Sequence, residues 1–302
     1  MRKSILLTLL MGIILLIFGG DRAVSQEGNP RLVWKGCGIS RRAFMAECAE
    51  AYEKRKGVHI ELIGGGATLG IRATVAGDAD IGGTCRPSLP NIFPKQESGG
   101  YLTQVAWDAI CFITHPNNPV TGITSQQARD ILTGKVTNWK QVGGPDKPIV
   151  VIYRIQTEIG KFSGVGYMTR RFLFNDPYVE FTEKALYFRD SGLVEKNVEN
   201  IQWAFAPDGV SSARRRNVKI LTLDGIPCTK ENVANGIYPF FRPLYLITRG
   251  KPSGELKKFL DWIISDEGQA VIGSVGTVTL KEGQGLKEKF KFWEHTESIL
   301  NY

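Results

Sequence analysis

Apolar positions along the chain switch between two periods. Val33 opens a short apolar stretch that ends at Gly36 and Gly38. Phe44, Cys48, Ala51 and Tyr52 then recur at three- and four-residue intervals, the spacing of one helical face, and Ser40 is placed to cap that helix. Gly57 predicts its end, and Val58 to Ile63 reads as the next strand. Gly64-Gly65-Gly66 breaks the chain before a second helix over roughly Leu69 to Ala76, and Asp80-Ile81-Gly82-Gly83 closes a third strand. Strand–helix–strand–helix–strand order predicts an α/β lobe.

The pattern continues past the first lobe. Val105 to Thr114 is an apolar strand, followed by the turn cluster His115-Pro116-Asn117-Asn118-Pro119. Thr124 and Gln127 fit a capping box, with a helix to about Leu132. After a loop through Gly143-Gly144-Pro145, Ile149 to Tyr153 reads as a strand and Gly166 to Phe174 as a helix. Ile201 to Phe205, Lys219 to Leu223 and Tyr245 to Thr248 read as strands. Ser253 to Ser265 holds a helix with Leu256, Phe259, Leu260 and Ile263 on one face. There is no internal repeat and no low-complexity tract.

The N-terminus changes the expected compartment. Arg2 and Lys3 precede a nearly unbroken apolar run, Ile5 to Phe18, and Ala23-Val24-Ser25 follows. This is the pattern of a secretory signal peptide over residues 1–25, cleaved before Gln26. The run is shorter than the roughly 18–20 residues that span a bilayer. No Cys sits just after it to carry a lipid. The expectation is a soluble, likewise monomeric, protein in the periplasm or another extracytoplasmic space. The formal charge of +8 falls to +6 once the signal is removed, which suits an anionic ligand. The one basic run, Arg214-Arg215-Arg216, reads as a solvated loop, so no nucleic-acid partner is expected. The five cysteines, Cys37, Cys48, Cys85, Cys111 and Cys228, form no C-x-x-C pair and no zinc-site spacing. Export permits disulfides, and an odd count leaves one thiol over.

Two glycine-bracketed strand ends lead into helices: Gly36-Cys37-Gly38-Ile39-Ser40 and Gly64-Gly65-Gly66-Ala67-Thr68. Glycine lets backbone approach a ligand closely, and a helix start offers unpaired N–H groups with partial positive charge. Catalytic motifs are missing: no G-x-S-x-G, no H-E-x-x-H and no P-loop, while His59, His115 and His295 stand far apart. Neither an enzyme, a cofactor nor a metal site is expected.

A chain-long series of segments resembles the phosphate-binding family of ABC-importer solute-binding proteins. The first two are Gly36-Cys37-Gly38-Ile39 and Gly64 to Gly70. Gly77-Asp78-Ala79-Asp80-Ile81, Cys85-Arg86-Pro87 and Asp108 to Pro119 follow. The most telling stretch is Ala128 to Pro145, with Gly134, Asn138, Trp139 and Gly143-Gly144-Pro145 in place. Asp224 to Pro227, Tyr238 to Tyr245 and Ser265 to Gln269 complete the order. The resemblance implies a type 2 periplasmic-binding-protein fold: two α/β lobes, 27–107 plus 240–302 and 108–239, joined by two crossing hinge strands. The cleft between them would hold a small oxyanion, phosphate first, for delivery to an ABC permease.

The loops that should hold the anion depart from the family pattern. Cys37, Ile39, Ala67 and Cys85 stand where hydroxyl residues are usual, and Tyr153-Arg154-Ile155-Gln156-Thr157-Glu158 lacks the usual S-G-T element. The resemblance places Gly38, Ile39, Ser40, Thr68, Arg86, Asp108, Arg154 and Thr157 at the ligand. Arg86 and Arg154 are the expected anion partners, since a guanidinium engages an oxyanion through two parallel N–H bonds; the alternative is an ion pair at the cleft rim. Asp108 either accepts a bond from a protonated ligand or fixes the hinge. Cys37 and Cys85 fall in neighbouring loops, as a disulfide, a redox-sensitive pair or soft metal ligands. The thinned hydroxyl set keeps two further readings open, a binder of another small solute and a sensor or accessory protein with a decayed phosphate site.

Overall fold

The computed structural model describes residues 31–299 except Gln156. The predicted signal segment 1–25 lies outside the described residues. β1 (Arg31–Gly36) leads through α1 (Gly38–Ser40) and a π-helical turn (Arg41–Met45) into α2 (Ala46–Lys56). β2 (His59–Gly64), α3 (Ala67–Ala76), β3 (Ile81–Thr84) and α4 (Pro94–Glu97) follow. β4 (Gly100–Thr114) crosses to the second half, which holds β5 (Gly122–Ile123), α5 (Ser125–Leu132), a 3-10 turn (Trp139–Val142) and β6 (Val150–Arg154). It continues with α6 (Glu158–Lys161), α7 (Gly164–Phe174), β7 (Leu186–Phe188) and α8 (Ser191–Asn200). β8 (Ala204–Gly209), α9 (Val210–Ala213), β9 (Lys219–Leu223) and α10 (Lys230–Ala234) complete that half. β10 (Phe241–Arg249) returns, and α11 (Gly254–Ile264), α12 (Asp266–Ser274) and α13 (Leu286–Ile299) close the chain.

The strands run β2-β1-β3-β10-β4-β8-β6-β7, with β9 paired to β4 and β5 to β9. β1 pairs in parallel with β2 and β3, whereas β10 is antiparallel to both β3 and β4. β4 carries the division between the halves. Its residues up to Ala109 pair with β10, and from Ile110 they pair with β8 and then β9. From Val105 to Thr114 every residue of β4 is buried, as expected for a strand covered on both faces.

Local chemistry sets the helix ends. Gly57 and Gly77 take left-handed conformations after α2 and α3. Thr124 and Gln127 make both bonds of the expected capping box at α5. Ser40 does not cap the first helix; the Cys37 sulfur accepts from the Ser40 N–H, and Ser40 lies inside the helical run. The stretch predicted as a strand from Ile201 instead continues the turn after α8, with β8 starting at Ala204 and running on through Pro207.

Each half has its own aromatic centre. Trp34 and Phe44 are fully buried in the first. In the second, Phe112 stacks on Phe205 at 5.6 Å, with Trp139 edge-on at 6.3 Å. α3 lies directly on β1 because position 70 is glycine: a Cβ there would stand 2.7 Å from the Lys35 carbonyl. α13 bridges the halves. Phe290 packs on Trp107 and Phe241, while Trp293 meets Phe172 of α7 edge-on at 4.9 Å. Among the described residues no helix is long and apolar enough to cross a membrane.

Candidate functional site: an arginine-lined cleft between the halves

The ends of β1 and β2 and the start of α3 face the end of β6 and the start of α8 across a cavity of about 590 Å³. Backbone of Gly36, Gly38 and Gly64-Gly65-Gly66 forms one wall. Gly66 needs its residue type, since its φ of 92° is unfavourable for an L side chain. It is also the N-cap of α3 and supplies no side-chain cap, so the first N–H groups of a ten-residue helix are left for another acceptor.

Arg154 ends β6 and supplies the opposite wall. It is only 6 % exposed, yet its Nε has no hydrogen-bond partner among the described residues. Its Nη2 lies 3.4 Å from where a Cβ on Gly66 would stand, so the guanidinium and the uncapped helix start converge. Burial pulls the Arg154 pKa down and the charge of Asp190 opposes that pull. Arginine nonetheless stays protonated at neutral pH. A buried guanidinium with an Nε unbonded among the described residues is costly, which makes this point a demand for a hydrogen-bond acceptor in the cleft.

The other expected anion partner turns away. Arg86 is fully buried and makes a two-bonded ion pair with Glu97, 2.8 Å at each oxygen. Its Nε donates to the Phe162 carbonyl at 2.6 Å. Thr68 donates to the same carbonyl at 2.8 Å and accepts from Arg86. Asp108 is bonded to Arg242 at 2.7 Å and accepts from the Ser211 N–H and hydroxyl, so it fixes the crossing of β4 and β10. Ile39 is buried, with Cγ2 2.7 Å from a Cβ built on Gly209. Ser40 is buried against the Cys37 sulfur at 3.0 Å. Thr157 is exposed at the N-cap of α6 and does not line the cavity. Of the eight residues predicted at the ligand, Gly38 and Arg154 line the cavity.

Protein contacts fill the ground between. Arg86 and Thr68 reach Phe162, Arg242 reaches the Gly164 carbonyl at 3.1 Å, and Arg72 pairs with Glu158 at 2.7 Å, each bond spanning the two halves. Cys37 and Cys85 sit beside these contacts. The expected disulfide is not formed: both are thiols, with sulfurs 3.4 Å apart. Burial alone would raise the Cys37 pKa. Hydrogen bonds from Cys85 and Ser40, with the charge of Arg242, bring it down to about 6. Among the described residues no group of three metal-ligating side chains occurs.

Sequence reasoning passed over Glu97, Arg242 and Asp208. Arg242 had a visible signal, a charge inside the apolar run Tyr238 to Ile247. Asp208 is buried beside Arg154, with Oδ2 unpartnered among the described residues. Burial, and then the charge of Glu195, raise its pKa well above the usual carboxylate range.

Known proteins share this architecture. A profile described as the PBP superfamily domain matches residues 41–158 and 190–267. The phosphate-binding protein PstS of Borreliella burgdorferi is 30% identical over 196 residues, covering 61% of this chain and 68% of that protein. PstS of Bacillus subtilis is 25% identical over 258 residues, 83% of this chain and 81% of that protein. A solved Clostridium perfringens protein, assigned as a phosphate ABC transporter substrate-binding protein and carrying bound phosphate, superposes with a TM-score of 0.74. It is 30% identical, and the match covers 82% of this chain and 99% of that one. The crossing strands, the interlobe cleft and these matches agree: the chain belongs to the PBP superfamily, in the phosphate-binding PstS family of ABC-transporter solute-binding proteins, with the type 2 fold.

Proposed function

We propose that this protein is exported by its N-terminal signal and acts as a soluble extracytoplasmic monomer. It holds a small oxyanion, phosphate first, in the cleft at Arg154, and presents it to an ABC permease without chemical change. One observation carries the reading: a nine-tenths-buried guanidinium whose Nε has no partner among the described residues faces the start of α3, which has no side-chain cap. Arginine is suited to this task because its fork of N–H groups matches the geometry of phosphate oxygens.

A second reading keeps the fold and changes the ligand. Arg86, Thr68 and Asp108 are satisfied by protein partners, which leaves fewer donors for phosphate than the family pattern implies. Thermal unfolding of the mature protein, stripped of ligand, separates the two. Phosphate at a hundred times its Kd adds about 2.7 kcal/mol, a rise of several degrees. Arsenate should act similarly. If phosphate, arsenate, sulfate and molybdate all leave the midpoint unmoved, the oxyanion reading fails.

A further inference from the structure

β1 and β3 are adjacent parallel strands, paired from Trp34 with Ile81 to Gly36 with Gly83. The Cys37 N–H extends that ladder by one step, donating to the Gly83 carbonyl at 3.1 Å. Neighbouring strands lie about 4.8 Å apart, inside the range of about 4.4–6.8 Å between Cα atoms that a disulfide bridges. The Cys37 and Cys85 side chains meet at this level, with sulfurs 3.4 Å apart. Both loops belong to the first half, so a bond between them needs no movement of one half against the other.

The two sulfurs have different surroundings. Cys37 Sγ accepts from the Ser40 N–H at 3.2 Å and lies 3.0 Å from the Ser40 hydroxyl. Donors aimed at a sulfur favour its thiolate, the nucleophilic form. Burial opposes them, but the bonds with Cys85 and Ser40 and the charge of Arg242 leave Cys37 at about 6. Cys85 is pushed well up by its bond with Cys37 and by burial, with Asp108 adding to the rise. Access differs as well. Cys37 is 5 % exposed, and its neighbours Gly36 and Gly38 line the cleft without a side chain to screen the sulfur. Cys85 is 1 % exposed and packs behind it against Gly164. Cys48, Cys111 and Cys228 are all raised by burial, so they stay protonated at neutral pH.

We propose that Cys37 and Cys85 form a peroxide-reactive pair, in which Cys37 attacks a small hydroperoxide entering the cleft and Cys85 resolves the product. The Cys37 thiolate sulfur bonds to one peroxide oxygen, the O–O bond breaks, and hydroxide leaves; Cys37 is then a sulfenic acid. The Cys85 sulfur attacks the Cys37 sulfur, the S–O bond breaks, and the sulfenic hydroxyl leaves as water with the Cys85 proton. The sulfur pair gives up two electrons, the peroxide accepts them, and the product is a Cys37–Cys85 disulfide that a dithiol reductant reopens. The proposal is independent of the oxyanion reading, because Arg154 and the start of α3 take no part in it.

The test treats reduced wild type, freed of reductant, with hydrogen peroxide at neutral pH and follows each cysteine by peptide mass spectrometry. The expected product is a peptide pair joined through Cys37 and Cys85, short of two hydrogens and reopened by dithiothreitol. Hydroxyl residues are usual at both positions in the family, so serine variants suit the fold. Cys85→Ser should stop at the first step, leaving a sulfenic acid on Cys37 that dimedone traps. That label should appear at least ~10-fold faster than any on Cys48, Cys111 or Cys228, since reaction follows thiolate character and access. Cys37→Ser should leave Cys85 unlabelled over the same interval. Wild type that keeps Cys37 and Cys85 as free thiols overturns the inference, and this result stands even if a serine variant fails to fold. Dimedone labelling of Cys85 in Cys37→Ser as fast as that of Cys37 in Cys85→Ser overturns it too.

Discussion

Arg86, Arg154 and Arg242 are all buried, and each meets a different electrostatic situation. Arg86 is neutralised by Glu97 and Arg242 by Asp108, in pairs with no exposed side-chain surface. Arg154 is left without such a pair among the described residues. Sequence placed Arg86 and Arg154 on equal terms, because the family resemblance puts both guanidinium groups at the anion. What separates them is Glu97, in a segment without helical or strand periodicity, so nothing in the local pattern revealed it as a partner. The Arg86–Glu97 pair makes its own prediction. Removing one member of a buried pair strands the other, so Glu97→Gln should cost about 3–5 kcal/mol at pH 7 in urea unfolding. Burial would raise the Glu97 pKa, but the Arg86 bonds and charge outweigh it and hold the carboxyl below its ordinary range. The folded pKa is thus depressed. The Glu97 contribution is present above the unfolded value of about 4.3 and is lost as pH falls through the folded one. The gap between wild type and Glu97→Gln should narrow on acidification below pH 4; a gap that widens there would contradict the assignment.

At the scale of elements, alternation and capping chemistry were legible wherever the chain obeyed local rules. The Thr124–Gln127 box, the end of α5 at Leu132 and β9 at Lys219–Leu223 stand where the pattern placed them. β8 was only partly placed and α8 was missed, each for an identifiable reason. β8 contains Pro207-Asp208-Gly209, which reads as a turn, yet pairing with β4 keeps it extended. α8 has an incomplete apolar face, Val194 and Val198 buried with Leu193 exposed, so its periodicity is weak. The cysteine-for-serine exchange at position 85 was visible, but its consequence was not. Gly164 at the start of α7 packs so tightly that a Cβ there would stand 2.1 Å from the Cys85 sulfur. Gly164→Ala should destabilise the protein by about 1–3 kcal/mol through overpacking. In a Cys85→Ala background the same change should cost clearly less, since the clashing atom is gone; a double-mutant cycle with no coupling would refute this packing.

For the whole molecule, the two halves meet at three kinds of joint. β4 and β10 cross between them, α13 lies over both, and the bonds around Phe162 and Gly164 fasten the cleft. The two-lobed architecture was readable from the family resemblance, with the lobe bounds an expectation of that resemblance. The bridging position of α13 was not, because a helix's own sequence does not reveal which neighbour its apolar side will find. Hinge closure around a ligand remains the motion this topology supports. In the proposed reading its energetic logic centres on Arg154: a buried guanidinium whose Nε has no bond among the described residues would gain a partner when an anion arrives. Calorimetric titration of phosphate into stripped wild type, Arg154→Met and Arg214→Ala tests that claim most directly. The account predicts saturable binding to wild type and Arg214→Ala, with affinity reduced at least ~100-fold in Arg154→Met. Equal phosphate affinity in Arg154→Met and wild type would contradict it.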